Sequence, residues 1–313
     1  MSYAVIFPGQ GAASPGAGEP WRDHPSWSVV SEAEKATDLA LARLLLDADA
    51  AELGTTRASQ LAVLLTSLVA WDAFAQQMTE PPAAFAGHSL GQITALLAAD
   101  VVDRADGLRL AVERAELSQR SADANPGRMA ALMGADPAVA EQTCAGLDAW
   151  LANDNAPGQI VIAGTPTGLD AATARARDAG VRRAIPLDVG HAFHTPLLAD
   201  AADGLRPLLD SLAYRAPAAP VVTNTDAHAQ RDGDGWPQRL AQHLVDPVLW
   251  RDSQETLASL GVTTFVEIGP GRVLAGLARR TVPGVQVLNV ATPDEADAAA
   301  ATLSSPSAQE ATL

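Results

Sequence analysis

The chain opens with a short apolar run at residues 4–7, which ends at once in a turn rich in glycine and proline. A buried parallel strand followed by a tight loop is typical of an α/β protein. Helical patterns follow at 28–41, 56–78 and 93–99, and a second apolar run at 83–86 separates the last two. The opening third therefore predicts an α/β domain with a strand, turn and helix near residue 90.

The pattern changes between residues 126 and 187. Strand-like and helix-like stretches now follow in the order βαββαβ, which is the ferredoxin-like arrangement. The stretches are 129–133, 137–146, 150–153, 159–163, 167–179 and 181–187. We predict a ferredoxin-like subdomain at 126–187, inserted into a discontinuous large domain formed by residues 1–125 and 188–313.

The large domain is expected to resume after residue 187 with alternating helices and strands. The predicted elements are helix 196–213, strand 221–223, helices 236–244 and 251–260, and strand 264–268. After Thr292 the sequence is rich in Ala, Asp and Ser, which predicts a terminal helix and a frayed tail.

Composition narrows the class of protein. The 313 residues are 48% hydrophobic and 19% charged, an ordinary globular balance. The single cysteine, Cys144, excludes a disulfide framework and any Cys-based metal site. A formal net charge of −16 offers no electrostatic footprint for nucleic acid.

Nothing in the sequence predicts export or a membrane span. The N-terminal apolar run has no basic flank and is too brief for a signal peptide. The most apolar stretch, 61–75, contains Thr66, Ser67 and Asp72 and is expected to be too short to span a bilayer. We predict a soluble, cytoplasmic protein.

Residues 87–91 read Gly-His-Ser-Leu-Gly, a G-x-S-x-G motif placed between a predicted strand and a predicted helix. A serine on so sharp a turn leaves no room for side chains two residues before or after it, which explains both glycines. The turn would expose the Ser89 hydroxyl at the positive end of a helix. The motif predicts a nucleophilic serine.

A serine nucleophile needs a base, and six histidines are available. His88 adjoins Ser89, but successive side chains at a tight turn point apart. His191 and His194 lie in the loop where the chain re-enters the large domain, between a strand and a helix. A structural, hydrogen-bonded role suits His191 better, but the residues alone leave the choice between the two open. A metal site there would lack a third ligand.

These residues together resemble the malonyl-CoA:acyl carrier protein transacylases and the acyltransferase domains of polyketide synthases. The resemblance covers nearly the whole chain and is specific in the combination and order of its motifs. They are residues 7–11 (FPGQG), 87–91 (GHSLG), 153–164 (NDNAPGQIVIAG), 191–196 (HAFHTP), 246–250 (DPVLW) and 267–274 (EIGPGRVL).

The resemblance implies an α/β fold in which a hydrolase-like parallel-sheet domain carries a ferredoxin-like insert. It assigns Ser89 as nucleophile and His194 as general base. It implies an oxyanion hole from the backbone N–H groups of Gln10 and Leu90. By the same resemblance Arg114 pairs with the malonyl carboxylate, Asn155 and Phe193 line the acyl site, and the backbone carbonyl of His243 orients the base.

Arg114 is singled out by resemblance alone, because Arg109 and Arg120 on the same predicted helix, 105–121, are equally plausible by composition. The implied reaction is malonyl transfer from CoA to an acyl carrier protein for fatty acid or polyketide synthesis. The implied enzyme is a monomer with no metal and no cofactor of its own.

Two positions depart from the family pattern: Ala115 stands where glycine is common, and Ser118 where methionine is common. The departures leave the acyl selectivity open. Three alternatives remain: an editing thioesterase that hydrolyses carrier-bound acyl groups, a transacylase for another acyl unit, including transfer from one carrier protein to another, and a non-catalytic partner subunit. The last is disfavoured because every expected catalytic residue is present.

Overall fold

The computed structural model describes residues 2–305, which form two sheets and their covering helices. The strands are Tyr3–Phe7 (β1), Ala84–Gly87 (β2), Arg128–Met133 (β3), Ala149–Ala156 (β4), Gln159–Gly164 (β5), Arg183–Leu187 (β6), Val221–Val222 (β7), Ala229–Gln230 (β8), Val248–Leu249 (β9), Thr264–Ile268 (β10) and Gln286–Val290 (β11).

The helices account for most of the remaining chain. They are Ser28–Thr37 (α1), Leu41–Leu46 (α2), Ala50–Leu53 (α3), Thr56–Ala75 (α4), Gly91–Ala98 (α5), Arg104–Ala124 (α6), Pro137–Cys144 (α7), Pro166–Asp178 (α8), Ala199–Ser211 (α9), Trp236–Val245 (α10), Trp250–Ser259 (α11), Val273–Thr281 (α12) and Pro293–Ser304 (α13).

The large sheet has the order β11-β10-β1-β2-β7-β8 and is parallel except for β8. Every residue of β1 and β2 is buried, as expected for central strands covered by helices on both faces. Phe7 pairs with Gly87 at the carboxyl ends of these two strands. The turn after β1 and the turn before α5 therefore lie side by side.

The second sheet has the order β6-β3-β5-β4-β9. Its first four strands pair antiparallel, and with α7 and α8 they form the predicted ferredoxin-like βαββαβ unit. Strand β9 comes from the later part of the chain and pairs parallel with β4. Through this pairing a segment of the predicted large domain, residues 248–249, joins the small sheet, and the exact division at residues 126 and 187 stays a prediction.

Several predicted elements differ from the observed ones. The helix expected at 28–41 ends at Thr37, because Asp38 adopts a left-handed φ of 56° as its C-cap, and α2 begins afresh at Leu41. Helices α3 and α12 and strands β8, β9 and β11 were not predicted from the sequence. The terminal helix is present as α13, while the predicted tail, 306–313, lies outside the described residues.

Within residues 2–305, α4 is the one helix long and apolar enough to cross a membrane. Residues 61–75 were expected to be too short to span a bilayer, but they belong to this longer helix of 20 residues, so that expectation was wrong. The most apolar part of α4 is 83% buried inside the protein, as in the core helix of a globular domain.

Glu267 shows how a buried charge is held in this core. Its carboxylate, at the end of β10, accepts hydrogen bonds from the backbone N–H groups of Leu274 (3.0 Å) and Ala275 (2.8 Å) in the first turn of α12. Asn289 donates a third at 3.1 Å. Burial raises the pKa of Glu267, whereas these donors favour its charged form.

We expect Glu267→Ala to lower the free energy of unfolding by about 3 kcal/mol, because it leaves buried helix N–H groups without an acceptor. Urea unfolding measures the change. The matched control is Glu255→Ala on the exposed side of α11, with an expected change below about 0.5 kcal/mol. Equal small changes in both variants would show that the Glu267 bonds contribute little.

Candidate active site

Ser89 occupies a strained turn between β2 and α5. Its φ of 52° lies in the left-handed region, which costs a non-glycine residue about 1–2 kcal/mol. The flanking glycines are required by close backbone approach. A Cβ on Gly87 would lie 1.9 Å from the Gly91 carbonyl oxygen, and one on Gly91 would lie 2.2 Å from the Phe7 oxygen. The steric prediction from the motif is confirmed.

His194, and not His191, contacts the serine. Its Nε2 lies 2.7 Å from Ser89 Oγ, and its Nδ1 lies 2.9 Å from the backbone carbonyl oxygen of His243. A carbonyl can only accept, so Nδ1 carries the proton and Nε2 is left to accept one from the serine hydroxyl. This is the tautomer that a general base needs. His194 also has a left-handed φ, of 58°.

The surroundings of His194 keep it neutral. Burial lowers its pKa to about 3, and electrostatic repulsion from Arg114 and from His88 adds to that effect. The carbonyl of His243 opposes the shift without overcoming it. At neutral pH the ring is therefore a free base, ready to take a proton.

Two backbone N–H groups belong to the neighbouring turns after β1 and β2. Leu90 begins the turn into α5, and Gln10 lies in the adjacent turn after β1. Within residues 2–305, neither the Leu90 N–H nor the Gln10 N–H donates to a protein acceptor. Free N–H groups beside a nucleophile, one of them at a helix N-terminus, can stabilise a developing oxyanion.

Arg114 lies below the serine, on α6. Only 4% of the residue is exposed, and its Nη2 lies 3.4 Å from Ser89 Oγ. Its Nη1 donates to Gln60 Oε1 at 2.5 Å, and Gln60 in turn donates to Gln10 Oε1 at 3.1 Å. No carboxylate within the described part of the chain pairs with Arg114.

Burial lowers the pKa of Arg114 to about 10, so the guanidinium remains charged at neutral pH. A buried cation without a counter-ion is costly. An anion supplied from outside would remove that cost. The site can therefore bind a carboxylate next to a nucleophile.

A cavity of about 370 Å³ opens onto these groups between the two sheets. Ser89, His194, Gln10, Asn155 and Phe193 line it, together with apolar residues of β3, β6 and α12. Its size is that of a small-ligand pocket. Leu90, Arg114 and His243 are not part of the cavity lining; the Arg114 guanidinium lies 3.4 Å from Ser89 Oγ, and the His243 carbonyl oxygen accepts from His194.

The chain was compared with known proteins. A family model described as "Acyl transferase domain" matches residues 5–304. The malonyl CoA-acyl carrier protein transacylase of Bacillus subtilis is 35% identical over 307 residues, 96% of each chain. This chain belongs to the acyl transferase family.

Solved structures of acyltransferases agree with this assignment. An acyl carrier protein S-malonyltransferase from Vibrio cholerae has a TM-score of 0.90 and 33% identity, covering 96% of this chain and all of that one. A malonyl-transacylase in complex with a type II polyketide synthase acyl-carrier protein has a TM-score of 0.91 and 30% identity, with the same coverage.

Sequence reasoning misjudged or missed three residues of this acyltransferase. His191 is fully buried, but neither ring nitrogen has a partner among residues 2–305, so the expected hydrogen bond is absent. Gln60 and Asn224 were missed, because each approaches the site from a distant segment with no motif around it. Within the same range, no three His, Cys, Asp or Glu side chains are placed to share a metal ion.

The buried histidines predict a stability that falls in acid. Burial lowers the pKa of His191 to about 4 and that of His194 to about 3, and it also lowers the pKa values of His88 and His243. Below pH 6.5 these histidines bind protons in the unfolded chain but remain neutral in the folded chain. Stability is therefore fully present above pH 6.5 and is lost as the pH falls toward the folded pKa values.

We expect His191 and His194 each to remove about 1.4 kcal/mol of unfolding free energy between pH 7.5 and 5.5, because the folded pKa of each lies below this range. Asp154, whose pKa burial raises to about 6, offsets part of the loss. Urea unfolding at both pH values tests this with His191→Leu, which should flatten the pH dependence by one histidine. An unchanged slope would mean that His191 titrates alike in both states.

Proposed function

We propose that this chain transfers a malonyl group from CoA to the phosphopantetheine thiol of an acyl carrier protein, through an acyl-enzyme on Ser89. The observation that carries the proposal is an unpaired buried guanidinium, Arg114, beside an activated serine. The similarity to malonyl CoA-acyl carrier protein transacylases, one of them solved in complex with an acyl-carrier protein, supports the same donor and acceptor.

The first half-reaction forms the acyl-enzyme. His194 Nε2 accepts the hydroxyl proton of Ser89 as Oγ attacks the thioester carbonyl carbon. The carbonyl oxygen becomes an oxyanion, which the N–H groups of Gln10 and Leu90 stabilise. When the tetrahedral intermediate collapses, the C–S bond breaks and the CoA thiolate takes the proton from His194. Malonyl-Ser89 and CoA thiol remain.

The second half-reaction repeats these steps with a different thiol. His194 takes the proton of the phosphopantetheine thiol, and the sulfur attacks the ester carbonyl of malonyl-Ser89. Collapse breaks the bond to Ser89 Oγ, which recovers its proton from His194. Donor and acceptor use the same cavity in turn, so the kinetics should be ping-pong.

Arg114 gives the enzyme its specificity for an acyl group that carries a free carboxylate. A malonyl ester on Ser89 carries its free carboxylate within a few bonds of Oγ, and the guanidinium lies 3.4 Å from that oxygen. A carboxylate placed there pairs with the buried cation, whereas a neutral acyl group leaves it unpaired. Gln60 accepts a hydrogen bond from the other terminal nitrogen, Nη1, and so holds the guanidinium in place.

Asn155 and Phe193 shape the cavity around the acyl chain. His88 Nε2 lies 2.8 Å from Asn155 Oδ1, which fixes the amide in the wall. Phe193 lies beside the base and gives an apolar wall to the same cavity. Each step of the reaction uses groups of the chain and its two substrates, so the proposed reaction needs no further cofactor. We also propose, from the family, that the enzyme works as a monomer in the cytoplasm.

The nucleophile is tested by intact-protein mass spectrometry after brief incubation with malonyl-CoA. We expect a malonyl adduct on the native chain, moving to the carrier thiol when holo carrier protein is added. Ser89→Ala should form none, whereas Ser26→Ala, at a buried serine away from the site, should form the full adduct. An adduct lost to water instead of the thiol would indicate the editing thioesterase, and an adduct on Ser89→Ala would refute the nucleophile.

The role of Arg114 is tested by comparing donors. Arg114→Ala should lower acylation by malonyl-CoA about 10²-fold and spare or improve acylation by acetyl-CoA, because only the first needs a counter-ion. The control is Arg104→Ala on the same helix, whose guanidinium pairs with Asp72. Equal losses for both donors in Arg114→Ala would show that this arginine has a structural role.

A further inference from the structure

We propose that Asn224 is a positioning residue for this acyl transfer: its side chain holds the Ser89 turn and, through the side chain of His243, the carbonyl that orients His194. The inference rests on the proposed function, because it concerns the same two reacting side chains. It assigns a role to the imidazole of His243 as well as to its backbone.

Asn224 forms two hydrogen bonds to the backbone of the nucleophile turn. Its Oδ1 accepts the backbone N–H of Ser89 at 2.8 Å, and its Nδ2 donates to the carbonyl oxygen of Gly87 at 2.8 Å. A backbone N–H can only donate and a carbonyl can only accept, so these partners settle the orientation of the amide. The two bonds bracket the residue whose left-handed φ exposes the nucleophile.

Asn224 Oδ1 also contacts His243, the residue in α10 whose carbonyl orients the base. His243 Nε2 lies 3.0 Å from Asn224 Oδ1. Because that oxygen is an acceptor, His243 must carry its proton on Nε2 and donate. One residue thus supports both halves of the catalytic pair: Ser89 directly, and His194 through the His243 residue whose carbonyl receives its Nδ1 proton.

Asn224 is itself held rigidly. It is fully buried, and its backbone N–H donates to Gln92 Oε1 at 2.7 Å, on the first turn of α5. Its carbonyl oxygen accepts the N–H of Leu249 at 2.7 Å, in β9. A side chain anchored at every polar atom can fix the geometry of its partners to within fractions of an ångström, which proton transfer between Ser89 and His194 requires.

The contact with Ser89 N–H also has a chemical consequence. That N–H points into Asn224 and is not available to the substrate oxygen. The free N–H groups of Gln10 and Leu90 are then the donors left at the turn, in agreement with the proposed oxyanion hole.

A merely structural asparagine would affect how much enzyme folds, whereas a positioning residue affects how fast the folded enzyme reacts. Single-turnover acylation with saturating malonyl-CoA separates the two. The amplitude of adduct formation counts competent enzyme, and its rate constant reports the chemical step.

We expect Asn224→Ala to lower the acylation rate constant about 10²-fold at full amplitude, with little change in the malonyl-CoA concentration at half-saturation. His243→Phe keeps the backbone carbonyl but loses the Nε2 donor, and should lower the rate constant about 10-fold. His243→Gln returns an amide donor near the same place and should restore most of the rate.

The matched control is Thr223→Val, which removes a buried hydroxyl bonded to Asp226 and the His228 carbonyl, in the same loop but away from both reacting residues. Its rate constant should equal that of the native chain.

If Asn224→Ala does not fold, the His243 pair still decides the question. Native rate constants in His243→Phe, or failure of His243→Gln to recover the rate, would overturn the inference. A fall in amplitude at a native rate constant in Asn224→Ala would do the same. Absence of any malonyl adduct on the native chain would instead overturn the proposed function, so the two failures are distinguishable.

Discussion

The left-handed turn at Ser89 is the constraint on which the rest of the site depends. The turn brings the backbone of Gly91 against Gly87 and the backbone of Phe7 against Gly91. Neither contact leaves room for a Cβ, so both positions require glycine. It also needs parallel neighbours, because β1 and β2 must end at the same level for the Gln10 turn to lie opposite Leu90. The strain stays because buried hydrogen bonds surround it.

The second sheet completes the site without altering that turn. It supplies Asn155 to the cavity wall, and its edge strand β9 is held to the loop after β7 by the Leu249 N–H, which donates to the Asn224 carbonyl oxygen. Arg251 and Asp154 add a partly buried ion pair at this junction, with Nη2 and Oδ2 2.8 Å apart. The ferredoxin-like unit therefore acts as one side of a cleft whose reactive side belongs to the α/β sheet.

Sequence reasoning succeeded where the determinants are local. The motif at residues 87–91 predicts its own turn, because the steric demand and the glycines that meet it are adjacent. The order βαββαβ likewise follows from periodicities within each stretch. The two-residue strands β8 and β9 are too short to leave such a pattern.

Contacts between distant segments could not be predicted in that way. Asn224 lies 135 residues from Ser89, and Gln60 lies 54 residues before Arg114; neither has a local pattern that marks it. The choice between His191 and His194 had the same difficulty, since both lie in one loop and only the packed structure shows which ring reaches Ser89. Resemblance to a family supplied Arg114, which composition left equivalent to its neighbours.

His194 is oriented by a neutral carbonyl group and not by a carboxylate, and this leaves the charge of Arg114 uncompensated until substrate binds. A carboxylate in place of the His243 carbonyl would stabilise protonated His194 and raise its pKa, as a nearby negative charge does. Its negative charge would also attract the Arg114 guanidinium, because opposite charges interact more strongly inside a protein than in water. That attraction would partly compensate the charge of the guanidinium before substrate bound. A neutral acceptor orients the base and leaves the full charge of Arg114 for the carboxylate of the acyl group.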